Sequence, residues 1–328
     1  MNIETAEIPG NTKALTPVFK RNAMTQVTSH LLMIRPASFG FNEQTAESNA
    51  FQQKGAYLQK VQQKALLEFD TFVELLQSYG VDITVIQDTE DPKKPDAIFP
   101  NNWVSFHNNG DVIIYPMQAP NRRWERNEEI ISRLRERFKM NHVIDLSSFE
   151  AHNKFLEGTG SMVLDRENKI AYACLSPRTD AEVLDAFCRR LNYKAISFNA
   201  TDAKQKTIYH TNVMMCLGSR FAVICLDSIQ HTVEKEIIKT SLTNTNKEII
   251  AITLEQMNNF AGNMLEVQNK DGQSLLIMSR SAHQSLTVKQ VQSLKQYSQI
   301  ISANLSTIET IGGGSARCMI AEIHLPIV

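Results

Sequence analysis

The sequence has almost no net charge: 34 Lys and Arg stand against 35 Asp and Glu, a balance of −1. It also has no Lys/Arg run, so it lacks the electrostatic footprint of a nucleic-acid binder. It has no long apolar run; the longest stretches are strand-length, far short of the roughly 20 residues that cross a bilayer. Residues 1–30 carry Glu4, Glu7 and Pro9 and no apolar h-region, which argues against a secretory leader. Cysteine is sparse and odd in number: Cys174, Cys188, Cys216, Cys225 and Cys318, with no close pair. That pattern excludes a disulfide framework and the spacing of a zinc site, and points to reduced thiols in a cytoplasmic protein. What remains is an ordinary globular composition, 42% hydrophobic and 21% charged over 328 residues, ample for a large core.

Length alone suggests two domains, but an internal repeat argues for one. Five segments share an apolar anchor, a short Gly/Asn-rich turn and an apolar strand. They begin at Phe99, Phe155, Ile208, Phe260 and Ile311, and the intervals are 56, 53, 52 and 51 residues. Each full unit adds a second strand (Val112–Tyr115, Ile170–Leu175, Phe221–Leu226, Leu275–Met278). A helical stretch usually follows (Asn127–Phe138, Asp180–Leu191, Ser285–Ser298), then a third strand (His142–Ile144, Lys194–Phe198, Glu248–Thr253, Gln299–Ile301). Each unit therefore reads as β–β–α–β. The fifth stops after Cys318–Leu325. Its missing half is supplied by strand Leu31–Pro36, helix Asn49–Tyr79 and strand Asp82–Ile86. A ring closed by both ends leaves no free sheet edge. We therefore expect an α/β fold in one domain over 31–328, with 1–30 as a tail or lid. In such a ring the five turns converge near the axis, placing Asn102, Glu157, His210, Asn263 and Cys318 around one cleft.

Those turns carry chemistry. Cys318 ends the run Ile311-Gly-Gly-Gly-Ser-Ala-Arg-Cys318, where glycines allow positive φ and leave open space. A cysteine acts as nucleophile only as its thiolate, and His210 is the base its turn would bring near. Glu157, in Glu157-Gly-Thr-Gly160, can hold the imidazole or move protons on a substrate.

Gly-Gly-Gly-Ser-Ala-Arg-Cys-Met, Leu-Glu-Gly-Thr-Gly and His-Thr-Asn, in that spatial role, resemble the signatures of the guanidino-group-modifying superfamily, also called pentein or amidinotransferase-like. The resemblance runs from about Leu31 to Pro326. It implies a five-bladed α/β propeller of ββαβ repeats with pseudo-fivefold symmetry. It also implies Cys318 as nucleophile, His210 as general acid/base and Glu157 as the carboxylate that contacts substrate and histidine. Ser176-Pro-Arg178-Thr resembles the segment whose arginine grips the substrate α-carboxylate, and Ala119-Pro-Asn-Arg122-Arg resembles a second arginine segment with a similar task. A planar guanidinium suits that task because it binds carboxylate bidentately. No cofactor and no metal is implied. The expected partner is a small ureido or guanidino amino acid, with no nucleic acid and no membrane, and a homodimer is compatible with the family.

Two positions depart from the deiminase pattern. Asn102, in Phe99-Pro-Asn-Asn102, stands where deiminases carry Asp, and Asn212, in His210-Thr-Asn212, stands in the Asp position of His-x-Asp. An amide both donates and accepts, which suits a neutral ureido group better than a guanidinium cation. Asp96 is retained and matches an acidic substrate-binding position of the dimethylarginine-hydrolysing branch. Together with Arg35-Pro-Ala-Ser-Phe39 and Asn42-Glu-Gln-Thr-Ala46, these segments are most similar to bacterial citrulline hydrolases (citrulline ureidases). The resemblance thus implies L-citrulline + H₂O → L-ornithine + CO₂ + NH₃. The alternatives are an arginine or methylarginine deiminase or hydrolase, and, in a different class, a catalytically silent propeller that only binds.

Overall fold

The computed structural model describes residues 25–53 and 58–328. Its strands form five three-stranded sheets. β1 (His30–Arg35) and β2 (Asp82–Gln87) run parallel in register from His30↔Asp82. The second sheet comprises β3 (Val104–Phe106), β4 (Asp111–Ile114) and β5 (His142–Asp145). The third comprises β6 (Val163–Asp165), β7 (Ile170–Cys174) and β8 (Lys194–Phe198). The fourth comprises β9 (Met215–Leu217), β10 (Phe221–Ile224) and β11 (Glu248–Ala251). The fifth comprises β12 (Leu265–Gln268), β13 (Ser274–Ser279) and β14 (Gln299–Ala303). β15 (Ala321–Ile323) returns to pair antiparallel with β1, His30 opposite Ile323, and completes the first sheet. The split unit read from the sequence is thus made from both ends of the described chain.

Every sheet repeats one pattern, an antiparallel pair followed by a parallel pair. A parallel pair needs a crossover, and a helix supplies it. These are α1 (Leu58–Ser78), α2 (Glu128–Arg135), α3 (Ala181–Leu191), α4 (Thr232–Asn244) and α5 (Val288–Lys295). α1 buries Val61, Ala65, Phe69, Phe72 and Leu76, the spacing of one helical face. Each of its two phenylalanines contributes roughly 1.5–3 kcal/mol by leaving water. α3 begins where Asp180 accepts from the amides of Glu182 and Val183 and ends at Asn192 with φ 57°, a left-handed stop that Asn tolerates.

Two helices differ from the sequence expectation. The stretch Ser285–Ser298 is broken, because Leu286 leaves helical ψ at 142° and Thr287 starts α5 with a capping box to Gln290. The helix expected from Asn49 has its first described turn at Leu58. Asn49 sits in a turn and spends its side chain on the Gly312 and Gly313 carbonyls.

The middle strands β4, β7 and β10 are buried throughout, and β13 is buried except at Ser274. The inner strands of several neighbouring units touch: β15 lies on β3, β6 on β9, and β9 on β12. The turns entering them, Pro100–Asn102, Gly158–Ser161 and Thr211–Met214, pack side by side. The tail or lid expected over 1–30 lies outside the described residues up to position 24. From Gln26 the chain is packed: Gln26 bonds the Leu164 carbonyl (2.9 Å) and the Arg166 amide (2.8 Å), and Thr28 bonds the Ile323 carbonyl (2.7 Å). Among the described residues, no helix is long and apolar enough to cross a membrane.

Candidate active site

Residues at and beside the packed turns reach one tight cleft of about 20 Å³, lined by Asp96, Asn102, Arg122, Arg178, His210 and Cys318, with Asn49, Tyr209 and Gly312–Gly314 at its wall. A larger hollow of about 640 Å³ adjoins it through Tyr209. It is lined by Phe51, Phe260 and Lys204 among others and holds no thiol. The convergent polar groups, which mark a reactive site better than size does, lie in the smaller cleft.

Glu157 is the hub. It is fully buried. One oxygen accepts from the Gln118 amide at 3.1 Å. The other meets His210 Nε2 at 2.9 Å, Arg178 Nη1 at 3.4 Å and Arg122 Nη1 at 3.7 Å. Burial pushes the carboxyl up, but Arg178, His210 and Arg122 outweigh it and hold Glu157 well below the usual carboxylate range. Burial dominates for His210 despite the glutamate and pushes it down to about 4. At neutral pH the imidazole is therefore neutral and able to take a proton. Gly160 makes this contact possible: a Cβ there would lie 2.2 Å from Asn102 Nδ2 and 2.9 Å from His210 Nδ1.

Cys318 follows a π-helical turn, Ile308–Gly312, and Gly313, whose φ is +64°. A side chain at Gly313 would meet Asn49 Nδ2 at 2.5 Å, so only glycine fits both the backbone and the space. The Tyr209 hydroxyl donates to the Gly313 carbonyl at 2.8 Å. Cys318 Sγ accepts from Asn263 Nδ2 at 3.2 Å and Asn212 Nδ2 at 3.5 Å.

The arginines are already engaged. Arg122 binds Glu125 bidentately, both bonds 2.8 Å, and donates to Asn102 Oδ1 at 3.1 Å. Burial alone would lower it, but Glu125, Asp96 and Glu157 raise it further. Glu125 is pushed up to about 7 by burial, against Arg122. Arg178 donates to Ser48 Oγ (2.6 Å) and the Thr45 carbonyl (3.1 Å) as well as Glu157, and its guanidinium lies 4.9 Å from the Tyr209 ring centre. Asp96 receives Asn42 Nδ2 at 2.7 Å on one oxygen, and its other oxygen is buried without a partner. Asn212 Oδ1 is likewise buried and unpartnered.

All eight residues singled out from the sequence thus lie in or against this cleft. Sequence reading did not single out Glu125, Gln118, Ser48 and Asn49. The Arg122-x-x-Glu125 spacing was the one visible signal for the first. Among the described residues, no group of three His, Cys, Asp or Glu side chains is placed to hold a metal.

Solved structures share this fold. The substrate-bound N-terminal domain of ArgZ, an arginine dihydrolase from the ornithine–ammonia cycle in cyanobacteria, is 16% identical with a TM-score of 0.71, covering 91% of this chain and 99% of that one. The chain spans only 41% of full-length apo ArgZ. A dimethylarginine dimethylaminohydrolase (DDAH) from Pseudomonas aeruginosa, complexed with citrulline, is 17% identical with a TM-score of 0.62, covering 90% and 99%. No curated protein matches the chain. The family model described as N,N dimethylarginine dimethylhydrolase, eukaryotic, matches residues 35–325, and the chain belongs to that family, a branch of the pentein-type hydrolases that act on C–N bonds of guanidino-derived amino acids.

Proposed function

We propose that this protein hydrolyses L-citrulline to L-ornithine, CO₂ and ammonia through a covalent Cys318 intermediate. The observation that carries this reading is Asn212. Its amide stands beside the nucleophile, 3.5 Å from Sγ, with a buried acceptor oxygen unspent. A neutral ureido group offers both N–H donors and a carbonyl acceptor, which an amide can match. A carboxylate there would repel a thiolate.

Cys318 gives its proton to the neutral His210 imidazole, and its sulfur bonds the ureido carbon. Glu157 stabilises the imidazolium so formed. His210 returns the proton to the departing nitrogen, then takes one from water as that water attacks the thioester-like carbon and sulfur leaves. With ammonia departing first, the product is an N-carboxy-ornithine carbamate, which loses CO₂. Asp96, Asn102 and Asn212 bind the ureido end. Arg178 takes the α-carboxylate by exchanging its Ser48 and Thr45 bonds for the ligand; Arg122, given the same task by the resemblance, is instead held at the ureido end by its 3.1 Å bond to Asn102 Oδ1 and its pair with Glu125. The same reading takes the five sheets as blades of one α/β propeller, in support of which inner strands of neighbouring sheets touch. It places the protein in the cytoplasm, in keeping with five free buried cysteines.

A guanidino substrate is the second reading. Asp96 favours it, since its free buried oxygen could meet a cation. ArgZ acts on arginine and the Pseudomonas structure holds citrulline. Incubation with citrulline, arginine and dimethylarginine separates them. Ornithine and ammonia from citrulline, with arginine untouched, is the expected result. Citrulline accumulating from arginine or dimethylarginine would overturn it.

A further inference from the structure

We propose that Asn263 is a catalytic residue whose side-chain amide holds the negative charge on Cys318 Sγ as the thiol ionises. This rests on reading Cys318 as the nucleophile, but not on which substrate it attacks.

The groups that could have supplied a positive charge are committed elsewhere. His210 Nε2 is turned to Glu157. Arg122 is spent on Glu125 and Asn102, and Arg178 on Glu157, Ser48 and Thr45. Arg317, adjacent in sequence, sends its guanidinium to the Ile320 carbonyl and Glu322. Asp96 lines the cleft and opposes a thiolate, and Tyr209 is kept a neutral phenol, pushed up by burial. A neutral substrate would bring no cation of its own. What touches the sulfur is amide N–H.

Asn263 is the better placed of the two amides. Its Nδ2 has two hydrogens and two partners, the Asn212 carbonyl at 2.8 Å and Sγ at 3.2 Å. Its Oδ1 accepts from the Arg317 amide at 3.1 Å. Turning the amide over would set oxygen against oxygen and N–H against N–H, so this orientation is the only one its surroundings satisfy. The side chain is 1% exposed. A donor so fixed needs no reorganisation when charge appears. A thiol sulfur is a weak acceptor and a thiolate a strong one, so the bond strengthens as the proton leaves. Asn263 is also the turn residue of the unit starting at Phe260, the one turn of the repeat otherwise without a role.

The test is the pH profile of iodoacetamide alkylation at Cys318, followed by peptide mass in the full-length protein with no substrate present. In Asn263→Ala the midpoint should rise by about one to two pH units, the size expected for losing one hydrogen bond to a charged group. Citrulline kcat should fall about 10- to 100-fold with KM little changed. Asn263→Asp, which keeps the size, should raise the midpoint at least as far. An unmoved midpoint in either folded variant overturns the proposal. Should Asn263→Ala fail to fold, Asn263→Asp alone decides. Wild-type protein that alkylates at Cys318 but leaves citrulline intact would defeat the citrulline assignment and leave Asn263 to be judged by the midpoints. Absence of labelling at Cys318 would defeat both.

Discussion

Two buried ionic clusters in this protein use the same parts for different ends. At the cleft, Glu157 meets His210 at 2.9 Å, with Arg178 and Arg122 at 3.4 and 3.7 Å. In a second cluster, Glu322 meets His324 at 3.3 Å, with Arg317 and Arg166 at 2.9 and 3.7 Å. In both, burial pushes the carboxyl up, and the arginines and histidine overcome it. In both, burial pushes the histidine down to about 4. Perturbed protonation therefore does not by itself mark a reactive centre. What separates the clusters is spare bonding capacity. Beside Glu157 lie a thiol and two buried oxygens with no partner, on Asp96 and Asn212. None of Glu322, His324, Arg317 and Arg166 has such an orphan; Asp165 Oδ2, beside Arg166 in the chain, accepts no hydrogen bond but stands 3.9 Å from Lys247 Nζ, and the thiol at that cluster, Cys216, is pushed up to about 12 by burial. A strut satisfies every group it buries, whereas a site leaves some for its ligand.

The sharpest break between the two regions should come from Cys318→Ser. Turnover should fall roughly 10³-fold or more, since an alcohol in this site seldom ionises, with the melting temperature close to wild type. Citrulline-protected alkylation should map to Cys318 and to none of Cys174, Cys188, Cys216 or Cys225. Wild-type activity in the serine variant would end the covalent mechanism.

Next in size is the matched pair Glu157→Gln and Glu322→Gln. The first should lower kcat about 10²- to 10⁴-fold by releasing the histidine. The second strands two arginines and should cost about 3–5 kcal/mol of stability, while kcat/KM of the folded fraction stays near wild type. If chemical denaturation shows Glu322→Gln as stable as wild type yet inactive, the second cluster is not a strut.

Asn212→Asp and Asn102→Asp should follow, each shifting preference from citrulline toward arginine, read as the ratio of citrulline kcat/KM to arginine inhibition. Asn212→Asp should shift it about 10-fold or more, because its neighbour is the sulfur. Asn102→Asp should shift it less, because Arg122 Nη1 stands 3.1 Å from Asn102 Oδ1 and would balance the new charge. An unmoved ratio in both would favour the guanidino reading.

The last comparison is of stability against pH. His210, His324 and His107 are all held neutral by burial when folded, and protonate near their ordinary range when unfolded. The unfolded chain then binds more protons, so stability is full above about pH 6.5 and falls as pH drops toward 4. Glu125 and Glu309, pushed up by burial, oppose this. A net slope of about 1.4–3 kcal/mol per pH unit should remain. His324→Gln should flatten that slope and spare turnover; His210→Gln should flatten it and abolish turnover. A melting temperature that rises on acidification would refute the sign.

The five-unit plan was legible because spacing is a one-dimensional property. Anchors at regular intervals and glycine-rich turns carry over directly into sheets and their entrances. That Glu157, His210, Asn263 and Cys318 meet was legible for the same reason, each at a matched turn. Ser48, Asn49 and Gln118 were not, because each matters through bonds to residues far along the chain, and Glu125 was not, because its bidentate pair with Arg122 depends on a turn whose shape spacing does not encode. Asn49 was even assigned to a helix, since nothing local shows that its side chain is claimed by Gly312 and Gly313. The second cluster was hidden too: Glu322 is the middle residue of β15, Arg166 and His324 just follow β6 and β15, and Arg317 lies in the turn before β15, so nothing in their spacing shows that they meet.

The sheet shared by β1 and β15 has a consequence for the order of assembly. Cys318 lies just before β15, and β15 is held by β1, His30 against Ile323. During synthesis the four inner sheets can form as the chain emerges, but the segment bearing the thiol is anchored only when β15 is free to find β1. Contacts of such long separation form slowly. Cys318 is therefore among the last residues of the cleft to be set, and a released chain truncated before Ala321 should carry Cys318 yet alkylate like an ordinary exposed thiol. The fold leaves that sulfur unplaced until β15 has found β1.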